Sequence, residues 1–312
     1  MDKQKLLVIA GPTASGKSSL AVQLAKRWNG EVISADSMQV YRRMDIGTAK
    51  VTPEEMEGVP HHLIDVLEPQ EEWNVALFQE QASAAIRDIA SRGRLPILCG
   101  GTGFYLHALL YDTQFDEEPG QKEIRKALEA RLQEEGPEQL HQELKAIDPR
   151  SAEAIHPHNA KRVIRALEYY QLHGTPISAH NQEQKKKVSP FDLCYLALSM
   201  DRQKLYDRID LRVDQMVAQG LVQEVRSLTE EGLSAGMTAM QGLGYKEILP
   251  YLNGACTLEE AVRILKRDTR HFAKRQLTWL RAEKDVRWID AGQGPEELLR
   301  QAEAQIRQVY GK

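Results

Sequence analysis

Residues 5–18 read KLLVIAGPTASGKS. An unbroken apolar run, KLLVIA (5–10), passes into a glycine-bounded turn, and the turn passes into a helical pattern ending near Trp28. A short continuous apolar run of this kind is the mark of a strand buried on both faces, as in a parallel sheet. The turn GPTASGKS (11–18) fits G-x-x-x-x-G-K-S in the strand–turn–helix context that the pattern requires. There the backbone N–H groups of the turn and of the first helical turn converge on an anion. The Lys17 ammonium can reach bridging and terminal phosphate oxygens, and the Ser18 hydroxyl can enter the shell of a Mg²⁺. Gly11, Pro12, Thr13, Ala14, Ser15, Gly16, Lys17 and Ser18 are thus the expected phosphate loop.

Outward from the loop, EVISADS (31–37) predicts a second strand ending in polar residues, and HHLIDVL (61–67) a third. QEQASAAIRDIASRG (79–93) predicts a helix, and LPILCGGTG (95–103) another strand with a glycine turn. Strands alternating with helices imply an α/β fold, a P-loop NTPase-like parallel sheet with its sites at the carboxyl ends of the strands. At about residue 113 the chain becomes charged and helical, with breaks at Gly136-Pro137 and Asp148-Pro149, and a further helix runs from about Pro157 to His173. The polar stretch HNQEQKKKVSP (180–190) leads back to a strand, FDLCYLALSM (191–200). Residues 114–185 therefore read as a mostly helical insertion in a core formed by 1–113 and 186–312. The part after that strand reads as helical, at 202–219, 220–231, 240–252, 257–280 and 295–310.

Hydrophobic residues make up 42% of the chain and charged residues 28%, enough apolar surface for a core. A net charge of −4 argues against a general nucleic-acid coat protein but is compatible with a local basic surface. Cys99, Cys194 and Cys256 lie far apart, match no metal spacing and read as small buried apolar residues. No apolar run is long enough to span a bilayer, so the expectation is a cytoplasmic protein without a membrane partner.

Two features set the loop apart from that of a simple NTPase. No apolar strand ends in an aspartate placed to hold a metal opposite it, and no arginine-rich lid stands out. Instead Asp36 and Ser37 end the second strand, at the sheet edge where phosphate would bind. A carboxylate there can hold a metal through water or take a proton from an attacking group, although both residue types also cap turns. Gln39 adds an amide able to read a base edge. On the loop alone, a phosphotransferase acting on a small acceptor is the leading reading, and an RNA-binding nucleotide switch is another.

Further stretches recur in order over nearly the whole chain: ISADSMQVYRRMDIGTAK (33–50), GVPHHLID (58–65), GGTGFYLHALL (100–110) and HPHNAKRVIRALE (156–168). YDRIDLRVDQMVAQGLVQEV (206–225), GLGYKEI (242–248) and RDTRHFAKRQLTWLR (267–281) follow. With the phosphate loop they resemble the tRNA dimethylallyltransferase family, the tRNA isopentenyltransferases. The resemblance implies transfer of a dimethylallyl group from dimethylallyl diphosphate to N6 of the adenosine 3′-adjacent to the anticodon, with Mg²⁺ as cofactor and release of diphosphate. It implies that the loop holds the donor's diphosphate, that Ser18 serves the metal, and that Thr13 lies near the bridging oxygen. It makes Asp36 the acceptor of the N6 proton and Arg208 a second contact to diphosphate, with Arg212, one turn on, as the alternative. It assigns the tRNA to Asp36, Ser37, Met38, Gln39 and Thr102, to Lys161, Arg162, Val163, Ile164 and Arg165 of the insertion, and to Gln276, leaving Trp279 to the core. The insertion then resembles a clamp for the anticodon stem-loop.

Residues 263–275 carry six Lys or Arg against one acid, Asp268, and positions 263, 267, 270 and 274 share a helical face, a candidate track for backbone phosphates. Many relatives carry a zinc-finger-like region beyond the core; no such region appears before Lys312, so the expectation is the compact bacterial form, acting as a monomer.

Overall fold

The computed structural model describes residues 3–113, 120–184 and 187–311. The chain divides into two compact units: Met1–Asp112 with Ser189–Lys312, and Thr113–Val188.

The first unit starts with β1 (Gln4–Ala10), α1 (Lys17–Trp28), β2 (Gly30–Ser34), the single turn α2 (Pro53–Met56) and β3 (His61–His62). It continues through α3 (Val75–Ser91), β4 (Leu95–Gly100) and α4 (Gly103–Leu110). The second unit holds α5 (Gln121–Glu135), α6 (Pro137–Ile147), α7 (Pro149–Ala154), α8 (Ala160–His173) and α9 (Ile177–Gln184). The chain then returns to the first unit with β5 (Phe191–Ser199), α10 (Arg202–Ala218), α11 (Leu221–Glu230), α12 (Tyr245–Leu252) and α13 (Leu258–Ala282). β6 (Val286–Asp290) and α14 (Pro295–Tyr310) complete it.

The strands form one sheet in the order β3-β2-β4-β1-β5-β6, and every pairing is parallel. β1 lies between β4 and β5, so both its edges are paired and both its faces are covered. Its side chains alternate accordingly. Leu6, Val8 and Ala10 enter one core with Phe78 and Ile86 of α3, Leu106 and Leu109 of α4, and Ile248 of α12. Leu7 and Ile9 enter the other with Leu20 and Leu24 of α1 and Leu298, Ala302 and Ile306 of α14. This two-sided burial is why KLLVIA is apolar without alternation. At the opposite end of the sheet from the phosphate loop, the buried Glu31 of β2 accepts from Arg92, Arg94 and His62, and hydrogen bonding from Arg92 above all holds its carboxyl down to about 2.

The second unit has its own core, built from Leu128, Leu140, Leu144, Ala152, Val163, Ile164 and Leu167. Among the described residues no helix is long and apolar enough to cross a membrane.

Several elements differ from the sequence expectation. The third strand shrinks to His61–His62, because Leu63 and Asp65 take left-handed backbone angles, φ 61° and 54°, that end the ladder. A helix, α4, starts directly after the glycine turn, where the sequence showed only the turn. Ile177–Gln184 is helical and runs into the polar stretch 180–190, and α8 begins at Ala160 rather than Pro157. The edge strand β6, five residues including Arg287, lies between the helices expected at 257–280 and 295–310, in a stretch given no element from the sequence. Cys99 and Cys194 are buried as expected, whereas Cys256 is partly exposed, and all three are free thiols.

Candidate active site

Four strands end at one level. Ala10 of β1 pairs with Gly100 of β4 and Ala197 of β5, and Ser34 of β2 pairs with Cys99. The chain leaving β1 is the phosphate loop, the chain leaving β2 is Ala35–Asp36, and the chain leaving β4 is Gly100–Thr102. These segments pack backbone to backbone. A Cβ on Gly100 would overlap the Ala35 carbonyl oxygen, and one on Gly11 would lie 2.9 Å from the Leu198 Cβ. Thr102 N–H donates to the Ala35 carbonyl at 3.4 Å.

Within the loop, Ala14 (φ 63°) and Gly16 (φ 92°) adopt the left-handed conformation that turns successive N–H groups inward. Ala14 packs against Leu205 and Ile209 of α10 and Ala273 of α13. Ser15 is buried, and its hydroxyl has no hydrogen-bond partner. Lys17 Nζ donates to the Pro12 carbonyl at 2.7 Å. Burial pulls its ammonium down to about 8; the nearby Arg212 adds to this, and Cys99 and Asp36 oppose it. Asp36 moves the other way. Burial pushes its carboxyl up, offset by the Met38 N–H that its Oδ1 accepts at 2.9 Å and by the Lys17 charge. Lys17 and Asp36, nineteen positions apart in sequence, thus feel each other's charge at the sheet edge.

Of the two arginines left open by the sequence, Arg212 is the one whose charge acts on Lys17. It is partly buried, and that burial lowers its pKa. Arg208, one turn earlier on α10, is exposed. Burial and charge thus set Arg212 apart from Arg208.

Gln39 departs from the expectation of a free amide. Its Nε2 donates to the Thr48 and Ala49 carbonyls at 3.4 and 3.3 Å, and its Oε1 faces the Ser34 hydroxyl at 3.1 Å. These bonds pin the segment after Asp36 to residues 48–49. That second segment is itself anchored from α11: the Glu224 carboxylate accepts the N–H groups of Asp45, Ile46 and Gly47 at 2.9, 2.8 and 2.9 Å, and the Tyr245 hydroxyl at 2.7 Å. Gly47 is required there, since a Cβ would lie 2.6 Å from the Tyr245 ring. No sequence signal marks Glu224, an ordinary helical glutamate until the loop closes on it. Glu224→Ala is expected to destabilise the fold by about 2–3 kcal/mol, because it strips the partners from three amides and a buried tyrosine. A urea denaturation curve checks this, and a midpoint unchanged from wild type would refute it.

Gln276 departs in the same way. It is 6% exposed; its Oε1 accepts the Thr13 N–H at 2.9 Å and its Nε2 donates to the Gly101 carbonyl at 3.0 Å. Both ends of the amide are engaged inside the protein. Trp279, three residues on, lies against Gly103, where a Cβ would overlap its ring, and meets Phe104 edge-on at 6.4 Å. Thr102 caps α4 without a side-chain hydrogen bond and is partly exposed.

The basic surfaces thin out once folded. In the second unit Val163 and Ile164 are 1% and 6% exposed and belong to its core, so their side chains are out of reach of an RNA. Arg165 pairs with the buried Glu168 at 3.0 Å, which Arg125 also meets, whereas Lys161 and Arg162 are exposed. On α13, Arg263 pairs with Glu260, Arg267 with Asp268, Lys266 with Asp214 and Arg270 with Asp210. The last two acids come from α10, so the phosphate track seen in the linear sequence is largely neutralised in the fold. Among the described residues no three His, Cys, Asp or Glu side chains gather as a metal cluster.

A strand–loop–helix phosphate site facing a carboxylate across the edge of a parallel sheet defines a phosphate-loop α/β enzyme. Residues 39–283 match the family described as IPP transferase, and residues 4–68 match isopentenyl transferase. The chain belongs to the IPP transferase family, that of the tRNA dimethylallyltransferases. It is 58% identical over 286 residues to the tRNA dimethylallyltransferase of Lachnoclostridium phytofermentans, covering 92% of this chain and 91% of that protein. To that of Geobacillus thermodenitrificans it is 48% identical over 309 residues, 99% and 97% of the two chains. Among solved structures, the full-length tRNA isopentenylpyrophosphate transferase of Bacillus halodurans superposes with a TM-score of 0.75 at 46% identity, over 99% of both chains. A eukaryotic dimethylallyltransferase acting on tRNA superposes with a TM-score of 0.79 at 34% identity, over 98% of this chain but 77% of that one. The match in length is therefore to the compact bacterial form.

Proposed function

We propose that this protein transfers the dimethylallyl group of dimethylallyl diphosphate to N6 of the adenosine 3′-adjacent to the anticodon of tRNA, releasing diphosphate. Alongside family membership, the observation that carries the reading is the coupling of Lys17 and Asp36 at one sheet edge, an anion holder beside a proton acceptor.

N6 of adenine is a weak nucleophile, because its lone pair is delocalised into the ring. The allylic C1 of the donor is a good electrophile, because the allyl group spreads the charge left by departing diphosphate. The enzyme has to align the two, neutralise the leaving group and remove one proton from N6. In this reading the C1–oxygen bond breaks, the C1–N6 bond forms and the N6 proton passes to Asp36. The loop amides that no protein group engages and the Lys17 ammonium receive the negative charge that builds on diphosphate, and the Thr13 hydroxyl donates toward the bridging oxygen. Arg212 meets the diphosphate from α10, in place of the Arg208 expected from the sequence. Thr102, with its side chain free at the sheet edge, flanks the target nucleotide together with Ser37 and Met38.

The residues present fit a magnesium–diphosphate pair, which would find hard hydroxyl oxygens at Ser18 and the unpartnered Ser15. Ser18 would hold the ion, which supplies charge neutralisation of the leaving group. Lys161 and Arg162, exposed on α8, suit RNA phosphates of the anticodon stem-loop. One chain carries the loop, the carboxylate and the arginine, so the chemistry asks for no second subunit. With tRNA as acceptor, the protein works in the cytoplasm.

Arg212→Ala is expected to raise the KM for dimethylallyl diphosphate and to lower kcat/KM by about 10²-fold, whereas Arg208→Ala stays within about threefold of wild type. Steady-state kinetics on both variants decide this, and the reverse ranking would restore Arg208. The reaction itself is tested by nucleoside mass spectrometry of unmodified bacterial tRNA incubated with protein, Mg²⁺ and dimethylallyl diphosphate without ATP. A gain of one C5 unit on the adenosine next to the anticodon supports it; no gain, with ATP hydrolysed when a small acceptor is supplied, returns the protein to the phosphotransferases.

A further inference from the structure

The phosphate loop and the glycine turn after β4 leave adjacent strands, and one buried side chain from a distant helix ties them together. Gln276 takes the Thr13 N–H on one side and gives a hydrogen bond to the Gly101 carbonyl on the other. Its seat is tight, since a Cβ on Gly101 would overlap the amide. The helix that carries it is held on both sides. Ala273 packs with Leu205 and Ile209, the cluster against which Ala14 of the loop rests, and Trp279 is seated on Gly103. Gln276 is thus fixed relative to both of the segments it joins.

An amide committed to Gln276 does not face a phosphate, so this side chain decides which N–H groups of the loop remain for the anion. Without it, the buried Gly101 C=O and the part-buried Thr13 N–H would lose their partners, and the loop would shift to satisfy them. We infer that Gln276 is a positioning residue that holds the phosphate loop in its anion-binding shape and sets its distance from the Gly101–Thr102 turn. The inference rests on the reaction proposed above, in which the loop holds the donor and Thr102 lies beside the acceptor. It replaces the expectation that Gln276 contacts tRNA.

The full chain and its Gln276→Met and Gln276→Glu variants are compared in two assays. Isothermal titration with inorganic diphosphate, with no RNA present, reads the shape of the loop directly. Single-turnover transfer from dimethylallyl diphosphate to an unmodified anticodon stem-loop, with Mg²⁺, reads alignment. For Gln276→Met the expected result is diphosphate affinity down about tenfold, transfer about 30- to 100-fold slower and KM for the RNA within about threefold. Gln276→Glu can accept the Thr13 N–H in either protonation state, but it needs its own proton to face the Gly101 carbonyl. Its diphosphate affinity relative to wild type, read without RNA, is therefore expected to fall as pH rises, a trend that neither general loss of fold nor an RNA contact produces. If Gln276→Met does not fold, that pH trend carries the test. A raised KM for RNA with unchanged diphosphate affinity would make Gln276 an RNA contact and overturn the inference, as would wild-type behaviour of both variants. If the wild-type protein transfers no dimethylallyl group, the reaction fails, and the diphosphate titration still decides the role of Gln276.

Discussion

Replacing Asp36 by alanine is expected to slow dimethylallyl transfer by about 10³-fold while leaving RNA affinity within about threefold. The reason is the proton balance. N6 must lose a proton as it gains the allyl carbon, and Asp36 is the carboxylate that shares the sheet edge with Lys17. Alanine also removes the bond from the Met38 N–H, so Asp36→Asn separates chemistry from local folding. The asparagine Oδ1 can still accept that N–H, yet the side chain takes no proton at neutral pH. Both variants should be nearly inactive; a rate for Asp36→Asn within tenfold of wild type would remove Asp36 from the role of base.

The pH dependence follows from the two shifts. Asp36 acts in its ionised form, and burial raises its pKa, so kcat/KM should rise with pH through a limb lying above the ordinary carboxylate range. On the alkaline side Lys17 of the free protein loses its charge near 8, so kcat/KM should fall again there. The product is a bell, and Asp36→Asn should lose its acid limb while keeping the alkaline one.

The second large effect belongs to Lys17. Lys17→Ala is expected to lower the transfer rate by about 10²–10³-fold and to weaken binding of inorganic diphosphate, because a positive charge in a partly dry site has no replacement from solvent. A bound polyanion should lift the Lys17 pKa back from about 8, so at pH 8.5 diphosphate binding should take up more protons in wild type than in the variant. Calorimetric titrations in two buffers of different ionisation enthalpy measure that difference; equal proton uptake would show that Lys17 does not face the anion. Stability carries the same signature. With the folded pKa near 8 and the ordinary value at 10.5, the unfolded chain binds more protons between those limits, so unfolding free energy should rise with pH across that window.

Much of this was legible along the chain. KLLVIAGPTASGKS declares a buried strand, a phosphate loop and a helix because each is a local property: side-chain alternation is cancelled by two-sided burial, and left-handed turn positions favour glycine. Asp36 at the end of β2 was legible too, since a polar residue closing an apolar strand must emerge at the sheet edge. The burial of Val163 and Ile164 was within reach, because with Ala166 and Leu167 they repeat at helical spacing and so face the core of the second unit.

Other features depend on partners that only the folded chain brings together. Gln39 and Gln276 look alike in sequence, free amides near a binding site, and the fold engages both, one with residues 48–49 and the other with the phosphate loop 263 positions away. The cationic face of α13 meets Asp210 and Asp214 only when α10 packs against it. Arg208 and Arg212 lie one turn apart on α10, and only the packed protein distinguishes them, leaving Arg208 exposed and Arg212 partly buried with its charge acting on Lys17. β6 forms because β5 offers it an open edge, for which five residues around Arg287 would otherwise have no use. The sequence by itself therefore determined the backbone of the site, since strands, turns and glycine-dependent angles are set by near neighbours. Which side chains remain free to act was decided by the tertiary structure, because a hydrogen-bonding group or a charge is available to a substrate only if no distant residue has already satisfied it.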